Sequence, residues 1–126
     1  MKSVLADTSV WVDHFRRGNE ALIALLALDL VVTHPLVVGE IACGTLARRA
    51  RALADLQELR CVQQAHVGEV LAFIERENLS GSGCGVVDML LLASTLMTPG
   101  VALWTLDKRL AALAARFGVQ HQPALH

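Results

Sequence analysis

The sequence predicts an α/β fold, a parallel sheet covered by helices on both faces, and three observations carry that prediction. Short β-competent runs stand at Ser3–Ala6, Leu30–Thr33 and Val101–Thr105. Each is followed within a few residues by a helix-start signal, namely Asp7-Thr8-Ser9, Pro35 and Asp107. Segments of helical character fill the stretches between them, and strands that alternate with helices pair in parallel.

Taken in order, Val10–Arg16 reads as a helix that stops near Gly18-Asn19, and Glu20–Leu28 as a second helix built of helix formers. Pro35 suits the first turn of a helix carrying Leu36–Ala42, which Gly44 ends. Thr45–Leu59 predicts an amphipathic helix with Leu46, Ala50, Leu53, Leu56 and Leu59 on one face. Cys61-Val62 reads as a brief strand. His66–Asn78 is helical, with Val67, Val70, Leu71 and Ile74 at core spacing. After the run Gly81-Ser82-Gly83-Cys84-Gly85 comes a helix over Val86–Met97, ended by the turn Pro99-Gly100. The Val101–Thr105 strand, an Asp107–Arg116 helix and a last short strand at Gly118-Val119 complete the chain.

A length of 126 residues suits one domain spanning 1–126. Apolar residues reach 54% and charged ones only 18%, below the ~25% usual for soluble domains, and the mean hydropathy is +0.48. So oily a chain is expected to cover part of its surface with another chain. No apolar run reaches the ~18 residues of a membrane span, and Asp7 comes too early for a signal peptide's apolar region. Cys43, Cys61 and Cys84 are odd in number and form no C-x-x-C, as expected of a reduced, cytoplasmic protein. The net charge of −1 provides no global attraction to nucleic acid, so any such binding rests on local patches.

In parallel sheets, sites lie beyond the carboxyl ends of the strands. That rule selects Asp7 after the first strand and Asp107 after the Val101–Thr105 strand, although either alone is also an ordinary helix N-cap. Glu40 lies too deep in its helix to be a cap, which leaves a solvated position or a site. Asp88 stands in "GVVDMLLL", with Cys84, Gly85, Leu91 and Leu92 as its helical neighbours and no cation among them. A carboxylate in apolar surroundings is costly unless something pairs with it. Four carboxylates converging at one sheet edge would repel one another, and a divalent ion relieves that. Oxygen ligands without a His or Cys cluster favour Mg²⁺ or Mn²⁺ over zinc.

With Asp7, Glu40, Asp88 and Asp107 set in "ADTSVWVDHFR", "VVGEIACG", "GSGCGVVDMLLLAS" and "LWTLDKRL", the chain resembles a PIN-domain nuclease. It is similar more narrowly to the VapC toxins of VapBC toxin–antitoxin pairs, from about Val4 to Val119. The resemblance implies a three-layer α/β/α fold and a Mg²⁺- or Mn²⁺-dependent endoribonuclease. It also implies a homodimer and inhibition by a small VapB-like antitoxin. Asp7, Glu40, Asp88 and Asp107 match the family's acidic quartet, and Thr8 or Ser9 and Thr105 match hydroxyl positions near it. Two other classes stay open from the residues. One is a non-catalytic interaction module with capping and solvated acids. The other is a DNA- or structure-specific nuclease of the same superfamily.

Arg48, Arg49 and Arg51 are the densest basic patch, either a solvated helix face or a track for an RNA backbone. Asp13 lies roughly 240° around the first helix from Asp7 at ~100° per residue, which suits a supporting or solvated role. His14, His34, His66, His121 and His126 show no metal spacing and suit surface or core positions, as Trp11 and Trp104 suit core or interface. The glycine run is not a dinucleotide fingerprint, because Val86 stands where the last glycine belongs. No G-x-S-x-G or G-K-[ST] is present, so serine-hydrolase and P-loop chemistry are excluded.

Overall fold

The structure, a computed structural model, describes residues 2–123; His126 lies outside the described residues. The central sheet is formed by β1 (Ser3–Ala6), β2 (Val31–Val32) and β3 (Val101–Trp104) in the order β2-β1-β3. Both pairings are parallel: Val4 faces Val31 on one side of β1, and Ser3 to Ala6 face Val101 to Trp104 on the other. Single parallel bridges, Thr33 to Cys61 and Leu103 to Gln120, widen the sheet at both edges. Val4, Leu5 and Ala6, and all of β3, are buried. Because successive strand residues point to opposite faces, burial of consecutive residues requires cover on both sides. The α/β expectation therefore holds.

The chain leaves β1 through α1 (Thr8–Arg17) and α2 (Glu20–Ala27) to reach β2, then runs through α3 (Pro35–Cys43) and α4 (Arg49–Gln57) to Cys61. From there α5 (Val67–Glu77) and α6 (Val86–Met97) carry it back to β3, on the other side of β1, and α7 (Lys108–Arg116) follows. The crossover direction thus reverses at β1. Right-handed crossovers then put α1 to α4 on one face and α5 to α7 on the other. Packing agrees, since α1 packs on α3, α3 on α4, and α5 on α6. The crevice between β1 and β3, where strand order reverses, is where a ligand site belongs in such a sheet.

Several elements differ from expectation. The helix expected over Thr45–Leu59 starts only at Arg49, because Arg48 adopts φ 58°, ψ 34° in the left-handed region and a right-handed helix cannot run through it. Its buried face is Ala52 and Leu56, while Ala50 is exposed. On α5 the buried residues are Val70 and Phe73, with Ile74 partly buried against the core. Val67 and Leu71 stand 54% and 57% exposed. The larger Phe73 turns the helix, packing its ring 5.3 Å from that of Phe117. The strands expected at Cys61-Val62 and Gly118-Val119 reduce to the bridges at Cys61 and Gln120.

Candidate active site

The register that pairs Ala6 with Trp104 makes the next residues, Asp7 and Thr105, leave the sheet side by side. The Asp7 amide donates to the Trp104 carbonyl at 3.0 Å, which extends the ladder by one bond. Asp7 is the N-cap of α1, with Oδ1 accepting from the Val10 amide at 3.4 Å and from the Ser9 hydroxyl. Its Oδ2 accepts the Thr105 hydroxyl at 2.6 Å. The residue is only 6% exposed. Burial raises its pKa above the usual aspartate range, and the bonds from Ser9, Thr105 and Val10 oppose that rise.

The same hydroxyls tie the two strand ends together. Ser9 Oγ accepts the Leu106 amide at 2.9 Å, and Thr105 Oγ1 accepts the Asp107 amide at 3.0 Å. Asp107 is in turn the N-cap of α7, its Oδ1 taking the Leu110 amide at 2.9 Å, and its side chain is exposed. Glu40 is exposed midway along α3 and accepts the Thr8 hydroxyl at 2.8 Å, so it is held to the residue that follows Asp7.

Asp88 enters from the opposite face, in the first turn of α6. It is half-buried, and its Oδ2 accepts the Gly85 amide at a long 3.4 Å. Burial is the largest cause of its raised pKa, opposed by the Gly85 bond and reinforced by the charges of Asp107 and Asp7. The charges of Asp7, after β1, and of Asp107, at the β3–α7 junction, therefore reach Asp88 on α6. Among the described residues none of the four acids forms an ion pair with a Lys or Arg. Their oxygens are not closed into a ready group of three metal donors among those residues. The donor set nevertheless suits a hard divalent cation: carboxylate oxygens whose charge no described Lys or Arg pairs with, beside neutral hydroxyl oxygens.

Residues 4–116 match the PIN domain. The chain belongs to the PIN-domain family. It is 41% identical over 116 residues to Ribonuclease VapC32 from each of two strains of Mycobacterium tuberculosis, covering 92% of this chain and 94% of the relative. Within the family it stands with the VapC proteins.

Other residues singled out in this PIN domain lie apart from the acidic cluster, several with structural partners of their own. Asp13 pairs with Arg17 and accepts the Asn19 side-chain amide at 3.0 Å. The bonds from Arg17 and Asn19 lower its pKa, and it clamps the α1–α2 junction. Arg49 Nε donates to the Ala42 carbonyl at 2.8 Å, near the end of α3. Arg48 and Arg51 line an open cleft with His14, Phe15 and Asp55. None of the three arginines is hydrogen-bonded to an acid of the quartet. His34 and His66 cap α3 and α5 through side-chain acceptors, and Trp11 and Trp104 are buried.

Sequence reasoning placed Cys84 beside Asp88 on the helix but passed over Arg109. Cys84 is half-buried, and its pKa is raised by burial and by the charge of Asp88, with a smaller contribution from Asp107. Arg109, whose charge acts on the same thiol in the opposite direction, lies against Gly83. Nothing in local spacing marks Arg109, because its neighbour sits on a different element. The one signal was the glycine run itself, where Gly81, Gly83 and Gly85 suit the close approach of a backbone or substrate, and the structure places the Arg109 side chain against Gly83.

Proposed function

We propose that this PIN domain is a Mg²⁺- or Mn²⁺-dependent endoribonuclease and the toxin of a toxin–antitoxin pair. The observation that carries the proposal is the gathering of Asp7, Asp88 and Asp107 at the switch between β1 and β3, near enough to raise the Asp88 pKa. The 41% identity to a relative named as a ribonuclease supports the choice of RNA. Asp7, Asp88 and Asp107 would hold the cation, with Glu40 as a further ligand or as the group that orients the attacking water. A bound divalent ion makes water a stronger nucleophile and offsets charge on the phosphate. Ser9 and Thr105 fix the Asp7 carboxylate, and Thr8 fixes Glu40, so the acids need little reorganisation during reaction. Water adds to phosphorus, the bond to the 3′-oxygen breaks, and that oxygen leaves with a proton.

The partners in this reading are RNA, a VapB-like antitoxin and a second copy of the chain. Exposed Val67, Leu71, Leu96 and Met97, on the mutually packed α5 and α6, support apolar contact with another chain. The stripe expected over Thr45–Leu59 contributes less, because Leu46, Leu53 and Leu59 are partly buried against the protein's own core. No helix among the described residues is long and apolar enough to cross a membrane, and the free thiols of Cys43, Cys61 and Cys84 suit the reducing cytoplasm.

Purified protein should cut RNA in Mg²⁺ or Mn²⁺ and stop with EDTA, and Asp7→Asn or Asp88→Asn should abolish the cutting. Unchanged cutting by either variant would overturn the assignment. Matched RNA and DNA oligonucleotides in one assay decide between a ribonuclease and a DNA-directed enzyme.

A further inference from the structure

Gly83 is where the glycine run meets another element. Its φ of +88° lies in the region that L side chains rarely adopt. A Cβ built there would stand 2.6 Å from Arg109 Cδ and 3.0 Å from both Nε and Nη1. A methyl group there would require the Arg109 side chain to move away. The absent side chain of Gly83 is a seat for the Arg109 side chain, which reaches it from the first turn of α7, two residues after Asp107.

Arg109 is exposed, and among the described residues it forms no ion pair or side-chain hydrogen bond. Arg17 is engaged by Asp13, Arg49 by Ala42, Arg60 by Asp29, and Arg76 and Arg116 by Glu77, whereas among the described residues Arg16, Arg48 and Arg51 are as unpaired as Arg109 but do not lie against the glycine run. Cys84, next to Gly83 in the chain, feels Asp88, Asp107 and Arg109 together, so all three charges stand close to one thiol. A cation thus lies near the acids, in space that the missing Gly83 side chain leaves open, with its donors unspent. A guanidinium so placed presents its planar fork to an anion that approaches the carboxylates.

We propose that Arg109, seated on Gly83, binds a phosphate of the RNA backbone at the rim of the acidic cluster, with Gly83 as its positioning residue. This deepens the ribonuclease reading and rests on it for the identity of the polyanion. The acids alone would repel a phosphodiester, and a guanidinium beside them supplies attraction without neutralising any of the four.

The test is a double-substitution cycle over wild type, Arg109→Ala, Gly83→Ala and the double variant, with Arg109→Lys as a fifth protein. Two readouts are taken: cleavage of a mixed-sequence oligoribonucleotide in Mg²⁺, and anisotropy of the same labelled RNA in EDTA across a salt series. Arg109→Ala should lower kcat/KM and RNA affinity by roughly 10- to 100-fold, the range for losing a hydrogen bond to a charged group. It should also flatten the slope of log affinity against log salt by about 0.7, one phosphate contact on a single strand. Arg109→Lys keeps the charge without the fork and should restore the salt slope but only part of the affinity.

Gly83→Ala should reproduce the Arg109→Ala losses and add little in the Arg109→Ala background, even though the alanine strains the backbone and lowers the melting temperature in both. A purely structural role for Gly83 would instead produce losses that multiply across the cycle, and that result overturns the seat. An Arg109→Ala protein with wild-type affinity and salt slope overturns the phosphate contact. If wild type binds RNA but cuts none, the nuclease reading fails, while the anisotropy cycle still decides Arg109.

Discussion

The Thr105 hydroxyl donates to Asp7 Oδ2 at 2.6 Å, joining residues 98 apart in sequence at the end of the β1–β3 ladder. Thr105 is buried, and Asp7 is more so. Thr105→Val keeps the shape and removes the donor, leaving a buried carboxylate short of one partner. We expect about 1–3 kcal/mol of destabilisation at neutral pH, a further rise of the Asp7 pKa and a marked loss of cutting. Thr105→Ser should recover most of both. Thermal melts and the RNA assay check this. A valine variant as stable and as active as wild type would remove the hydroxyl from the site's support.

Asp107 serves both as the cap of α7 and as a proposed ligand, and two substitutions separate those roles. Asn caps a helix about as well as Asp, whereas Ala costs about 1 kcal/mol. Asp107→Asn should keep the metal-free melting temperature and lose RNA cutting. Asp107→Ala should lose both. Full cutting by the Asn variant would leave Asp107 as a cap alone.

The acids also set a pH dependence with a definite sign. Asp7 and Asp88 both have pKa values raised in the fold, chiefly by burial. Such groups bind more protons folded than unfolded between the two pKa values, so stability falls as pH rises through that interval. The penalty is absent below the unfolded value, about 4, and fully present above the raised folded one. Asp13 acts in the opposite sense, because its pKa is lowered and its contribution is lost as pH falls. In EDTA, the Asp88→Asn protein should therefore gain stability relative to wild type as pH goes from about 4 to 7. Paired denaturant titrations at several pH values measure that difference, and a constant gap would contradict the raised pKa.

Divalent-ion linkage tests the same charges from the other direction. A ligand that binds only the native state adds about 2.7 kcal/mol at a hundredfold excess over Kd. Mn²⁺ should raise the wild-type melting temperature. Asp88→Asn should leave the metal-free value unchanged or higher while removing most of the increment. A wild type whose melting ignores millimolar Mn²⁺ speaks against a metal site.

The alternation of strands and helices, the α/β class and the positions of Asp7 and Asp107 after their strands were all legible before any coordinates. These features are written in local chemistry: β-branched runs, Asp or Pro at helix starts, and glycine at helix ends. Asp88 was legible for a related reason, since a carboxylate among leucines violates the local pattern. Other features depend on pairings between distant elements. Local spacing could not show that Thr105 holds Asp7, that Thr8 holds Glu40, or that Arg109 fills the place of a side chain at Gly83. The register of β1 against β3 and the reversal of crossovers at β1 bring those partners together. Tertiary packing likewise began α4 at Arg49 rather than Thr45, and turned α5 so that Phe73 is buried while Val67 and Leu71 are left out. Periodicity shows that a helix has an apolar side, but the competing volumes of distant side chains decide which residues of that side reach the core.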